Sequence, residues 1–193
     1  MSSTSTWRGE ITEKEYFTAL GSDPRYRARA GHGGVTIQVV RSQGHPEELV
    51  RAACWDKEHS DYPEEDQYWC VFDVEAPEPH PHLRQACQRA ERAGVRTAVS
   101  NPCFELWLIL HHRDHWGYLT TAQAGTLRNQ LDRSVSKHIN SVIYMDRRAE
   151  AAQRARSLRG RHERDRAEFP ADNPSSGVDL LLDALDQAAL PRF

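Results

Sequence analysis

Asp73 and Glu75 stand where the run Tyr68-Trp69-Cys70-Val71-Phe72 should end. That run is aromatic and β-branched enough to make a buried strand. Side chains alternate in an extended segment, so the two acids are expected on one side. Two carboxylates placed together can share a divalent cation such as Mg2+ or Mn2+, which takes hard oxygen ligands. A D-x-E at a strand end is more often a polar exit into a loop, so its surroundings must decide. A second strand is expected at residues 96–100, followed by a Ser-Asn-Pro turn and a helix over 104–112. This order brings Ser100, Asn101 and Glu105 to the carboxyl edge of a sheet, where open α/β sheets hold their ligands. Asn101 is a candidate substrate contact or a helix cap, and Glu105 is a candidate third acid or a carboxylate favoured by the helix dipole. His111 and His112 follow on the same helix, where a core or surface role outweighs a catalytic one.

The elements that must position these groups follow from periodicity. Residues 12–20 predict a helix, with Thr12 as N-cap and Glu15 completing a capping box. Residues 35–40 predict a strand, 46–55 a helix, 83–93 a helix stopped by Gly94, and 178–190 a final amphipathic helix. Strands alternating with helices imply a mainly parallel sheet with helices on its faces. The first residues, MSSTSTWRGE, carry no apolar strand, so any strand there is expected to be vestigial. The expected organisation is an α/β core over 1–115 and a helical C-terminal part over 116–193, packed on the same domain. Within the latter, Lys137 is a weak candidate for a phosphate contact. Residues 144–168 predict an arginine-rich helix, whose charges either pair at i,i+4 spacing with Glu150, Glu163, Asp165 and Glu168 or meet phosphates, Arg154 and Arg161 among them.

Composition narrows the classes. The chain has 193 residues, 38% of them hydrophobic, enough for one substantial core. A net charge of −3 with 27% charged residues excludes a globally basic nucleic-acid binder but leaves local phosphate-binding clusters open. No run approaches a membrane span and no signal peptide is recognisable, so a cytoplasmic protein without membrane attachment is expected. The four cysteines form no C-x-x-C pair and are read as small buried hydrophobes. The His80-Pro81-His82 loop is read as solvated rather than metal-binding.

The string SNPCFELWLILHH resembles the signature of the RloB family of bacterial defence-associated proteins, often encoded beside an AAA-type ATPase. GEITEKEYF, WCVFDVE and DNPSSGVDLLLDAL fall in the family's order. The family is in turn similar to Toprim domains. There a glutamate after the first strand acts as general acid or base, and a D-x-D after a later strand binds Mg2+. The resemblance implies that Asp73 and Glu75 occupy the D-x-D, with Mg2+ or Mn2+ as cofactor. Relatives typically read E-G-E-x-T-E near the start, whereas this chain has Arg8-Gly9-Glu10-Ile11-Thr12-Glu13. Glu10 then takes the acidic role, or the chain starts elsewhere, or catalysis is lost. Glu13 is expected inside the helix and turned away. The implied function is a metal-dependent nuclease of RNA, including tRNA, or DNA in antiphage defence, with nucleic acid and a partner ATPase as partners. The alternative is a catalytically weakened Toprim-like module that regulates or docks onto such a partner.

Overall fold

The computed structural model describes residues 2–7, 11–26, 36–41, 45–133 and 138–190. In chain order the elements are β1 (Ser2–Trp7), α1 (Ile11–Gly21), β2 (Thr36–Arg41), α2 (Pro46–Glu58), β3 (Gln67–Asp73), α3 (Leu83–Arg92) and β4 (Arg96–Asn101). They continue as α4 (Phe104–His112), α5 (Thr121–Asp132), α6 (Ser141–Asp146), α7 (Arg148–Asp165), β5 (Ser175–Ser176) and α8 (Val178–Ala188). The result is a mixed α/β fold around one sheet of order β2-β1-β3-β4-β5. β1 pairs in parallel with both β2 and β3, β3 pairs in parallel with β4, and β5 joins antiparallel to β4.

β3 shows why the apolar run is continuous rather than alternating. Trp69 and Val71 pack into a core shared with α1, α4, α7 and α8, while Tyr68, Cys70 and Phe72 pack against α2 and α3 on the other face. A parallel strand covered by helices on both faces must be apolar on both. α4 is enclosed in the same way, and Phe104, Leu106, Trp107, Leu108, Ile109, Leu110 and His111 are all buried. α3 buries only the face carrying Leu83, Ala86 and Ala90, and stops where Gly94 adopts φ +66. There the N–H of Val95 closes back onto the Ala90 carbonyl at 2.9 Å.

Four expectations are corrected. The serine- and threonine-rich start is a strand at the centre of the sheet, not a vestige. A backbone ladder on both sides needs no apolar side chains to form. The first helix already includes Ile11, so Thr12 lies inside it rather than capping it. The arginine-rich segment breaks at Arg147 into α6 and α7. The break lets Tyr144 donate to Asp132 while Arg148 reaches Asp23 at 2.6 Å. Finally, the C-terminal part adds a strand as well as helices. Its β5 runs beside β4, and a Cβ on Gly177 would meet the Val99 backbone nitrogen at 3.3 Å, so glycine allows that close approach.

Candidate functional site: an acidic cluster at the carboxyl edge of the sheet

Asp73 is the last residue of β3 and stands opposite Ser100 in the β3–β4 ladder. It shares the sheet face of Trp69 and Val71, so it points toward α1 and α4. The two strands stay zipped beyond their ends: Val74 N–H donates to the Ser100 carbonyl at 2.9 Å and Glu75 N–H to the Pro102 carbonyl at 2.8 Å. Asp73 also accepts the N–H of Phe104, the first residue of α4. A free helix N-terminal amide is a natural partner for an anion.

Three further carboxylates converge on it. Burial lifts the Asp73 carboxyl well above the ordinary carboxylate range, and the charges of Glu13, Glu105 and Glu75, in that order, lift it further. The Phe104 N–H opposes this only in part. Glu13 comes from the first turn of α1, which follows β1, and Glu105 from the first turn of α4, which follows β4. Both helices start at the carboxyl edge, and helical side chains lean toward the helix N-terminus, so both acids lean toward the end of β3. Cys103 joins the cluster. Burial, then the charges of Glu105 and Asp73, push its thiol far up, so it stays protonated and hydrogen-bonds to Glu105.

The expected acids therefore sort differently from the sequence reading. Glu13 is buried beside Asp73 and not turned away. Glu10, like Arg8 and Lys137, lies outside the described residues. The alternation argument for Asp73 and Glu75 also fails, because β3 stops at Asp73 and Glu75 adopts φ +70. Glu75 comes close by another route. Its carboxylate accepts the Thr121 hydroxyl at 2.8 Å, and that hydroxyl in turn accepts the N–H of Ala76 at 3.1 Å. Thr121 N–H closes the clamp on the Ala76 carbonyl at 3.0 Å.

The donor set is four carboxylates on three structural elements and one connecting loop, all hard oxygen ligands gathered against their mutual repulsion. That chemistry fits Mg2+ or Mn2+, whose charge would remove the repulsion that lifts Asp73. Among the described residues no three His, Cys, Asp or Glu side chains form a ready-made metal cage.

The polar and basic candidates have partners within the chain. Ser100 is buried with its hydroxyl 3.3 Å from that of Ser176. Asn101 is buried, and its amide donates to the Pro170 carbonyl at 2.8 Å and to Asp172 at 3.0 Å, anchoring the segment before β5. Arg154 donates to the Leu110 carbonyl at 2.5 Å, and Arg161 to the Trp116 carbonyl at 2.8 Å. Arg159 reaches the fully buried Asp179 at 2.6 and 2.7 Å, and Arg156 reaches Asp183 at 2.8 Å. Among the described residues of this run, Arg161 pairs in the expected i,i+4 manner, with Asp165. His111 is enclosed in the core and His112 bonds Asp132 at 3.0 Å. Sequence reasoning did not find Thr121; its sequence signal is the capping box of Thr120 and Gln123, which marks a helix start without saying what that start touches.

No helix among the described residues is long and apolar enough to cross a membrane. No curated protein and no solved structure matches the chain. The family model described as RloB-like protein matches residues 7–185, nearly the whole chain, and the chain belongs to that family.

Proposed function

We propose that this RloB-like protein is a Toprim-like, metal-dependent phosphodiesterase, an endonuclease of RNA or DNA. The observation that carries the reading is the Asp73 carboxyl at the carboxyl edge of a sheet, raised by burial and then by the charges of Glu13, Glu105 and Glu75. A glutamate following the first strand and an acid at the end of a later one is also the arrangement the Toprim resemblance implies. Here Glu13 fills the first place and Asp73 the second. The roles in antiphage defence and beside an ATPase rest on the family resemblance.

In this reading Asp73, with Glu105 and Glu75, would hold Mg2+ or Mn2+. The ion would polarise the phosphoryl oxygens and lower the pKa of the attacking water. Glu13, on a separate element, takes the proton from that water at a carboxylate oxygen. The first-turn N–H of Phe104 keeps Asp73 oriented.

The test is incubation of the purified chain with labelled total RNA and plasmid DNA, with Mg2+, Mn2+ or EDTA, alone and with its neighbouring gene product. Cleavage is expected only with metal and is expected to vanish in Asp73→Ala. Glu13→Gln should slow it by on the order of a hundredfold. Undiminished cleavage by either variant removes that residue from the mechanism. If no metal or partner elicits cleavage, the cluster belongs instead to a docking or regulatory module.

A further inference from the structure

The chain from the end of α4 toward α5 runs along α7. Arg154 holds the last turn of α4, just before the connecting segment, at the Leu110 carbonyl, and Arg161 holds the segment's middle at the Trp116 carbonyl. These two arginines are separated by two helical turns, roughly 10 Å at 1.5 Å per residue. Further on, Asn173 accepts the Leu119 N–H at 3.0 Å and donates to the Leu119 carbonyl at 2.8 Å. Two residues later Thr121 reaches Glu75. The segment is thus pinned along its length and ends against Glu75 of the acidic cluster.

Held this way, it turns two large rings outward, with Trp116 43% and Tyr118 60% exposed. The Arg161 guanidinium lies over the Trp116 ring, 5.9 Å from its centroid. Its ion pair with Asp165 is exposed and 3.4 Å long, the kind that holds a side chain only weakly. Arg113 is also exposed on the segment, while Asp114 lies 3.8 Å from Arg154, which offsets its charge. Aromatic faces beside cations are what a single strand needs, because unpaired bases stack on rings while phosphates meet guanidinium groups. A duplex covers its base faces and gains little from such rings.

We propose that Trp116 and Tyr118, with Arg161, form a stacking platform for unpaired nucleobases that leads a single strand toward the Asp73 cluster. The proposal rests on the phosphodiesterase reading and specifies its substrate class, a single-stranded region of nucleic acid.

The experiment is fluorescence anisotropy of labelled strands of roughly 12 nucleotides, RNA and DNA, and of matched duplexes. The full chain is used, with EDTA present so that nothing is cut. Single strands are expected to bind more tightly than duplexes. Trp116→Ala and Tyr118→Ala are each expected to weaken single-strand binding on the order of tenfold, with Trp116→Phe retaining most of it. Both alanine variants should melt like the parent chain, since the rings are exposed. Unchanged binding by the alanine variants, or a preference for duplex, overturns the proposal. If single-strand binding depends on Trp116 and yet no metal elicits cleavage, the platform stands and the phosphodiesterase reading falls. If cleavage depends on Asp73 while the alanine variants bind and cut like the parent, the reverse holds.

Discussion

At the scale of single residues, the cluster is a place where repulsion has been built in. Three carboxylates around a fourth that burial has already raised oppose folding, and strongly perturbed acids of this kind concentrate where binding or chemistry uses them. Asp73 was legible because a strand end followed by acids is visible in the order of residues. Glu13 was not. Its position in the first helical turn is legible, but its direction depends on how α1 sits against β3. Glu75 was legible for a reason that failed, since its left-handed backbone breaks the strand alternation and Thr121 sets its carboxylate instead. This assigns Thr121 a positioning role with a measurable consequence. Thr121→Val removes the donor to Glu75 and the acceptor for the Ala76 N–H, at a stability cost of about 1 kcal/mol. Calorimetric titration should show Mn2+ affinity lowered severalfold, with Thr121→Ser restoring it. Affinity unchanged in Thr121→Val would leave the clamp with only a structural role.

At the scale of elements, legibility followed burial. β3, α3 and α4 were readable because each buries a continuous or periodic apolar surface. β1 and the two-residue β5 were not, because their placement is set by backbone pairing with neighbours far along the chain. The partners of the α7 arginines were hidden for the same reason. A charge run reads as a solvated face, yet α7 straps α8 and the turn after α1 through acids distant in sequence. These pairs are not equal. Asp179 is fully buried, and burial holds its carboxyl above the ordinary value despite Arg159 beside it. Removing Arg159 would leave that charge enclosed without its partner. Arg156 and Asp183 are both exposed to solvent, 49% and 42% respectively. Arg159→Ala is therefore expected to cost about 3 kcal/mol, and Arg156→Ala at most about 1 kcal/mol. Urea denaturation at pH 7 compares them, and equal losses would show that burial does not set the difference.

At the scale of the whole molecule, the core carries a built-in sensitivity to acid. His111 sits where α1, α4 and α6 meet, its ring packed edge-on against Tyr16, Trp107 and Tyr144. One ring nitrogen, Nδ1, bonds the Trp107 carbonyl at 2.8 Å, so it carries the proton, and Nε2 faces the Tyr16 hydroxyl at 3.4 Å. Burial, together with the neighbouring charges of His112, Arg154 and Arg147, pushes its pKa down to about 3, although the Trp107 bond opposes the shift. The folded protein therefore keeps His111 neutral, whereas the unfolded chain protonates it near 6.5. Stability from this group is fully present above about 6.5 and is lost as pH falls toward 3, at about 1.4 kcal/mol per unit. Asp73 and Asp179 act with the opposite sign, because a carboxyl raised by folding binds its proton more readily in the folded state. The total pH profile mixes these contributions, so the measurement must be a difference. His111→Asn keeps a hydrogen-bond donor near the Trp107 carbonyl but cannot titrate, and it leaves both aspartates in place. It should be less stable than the parent at pH 7, from lost packing, yet lose about 2 kcal/mol less between pH 6.5 and pH 5. Parallel denaturation profiles for the two proteins over that range would mean that His111 is already protonated in the fold, and that the core at this junction is open to water.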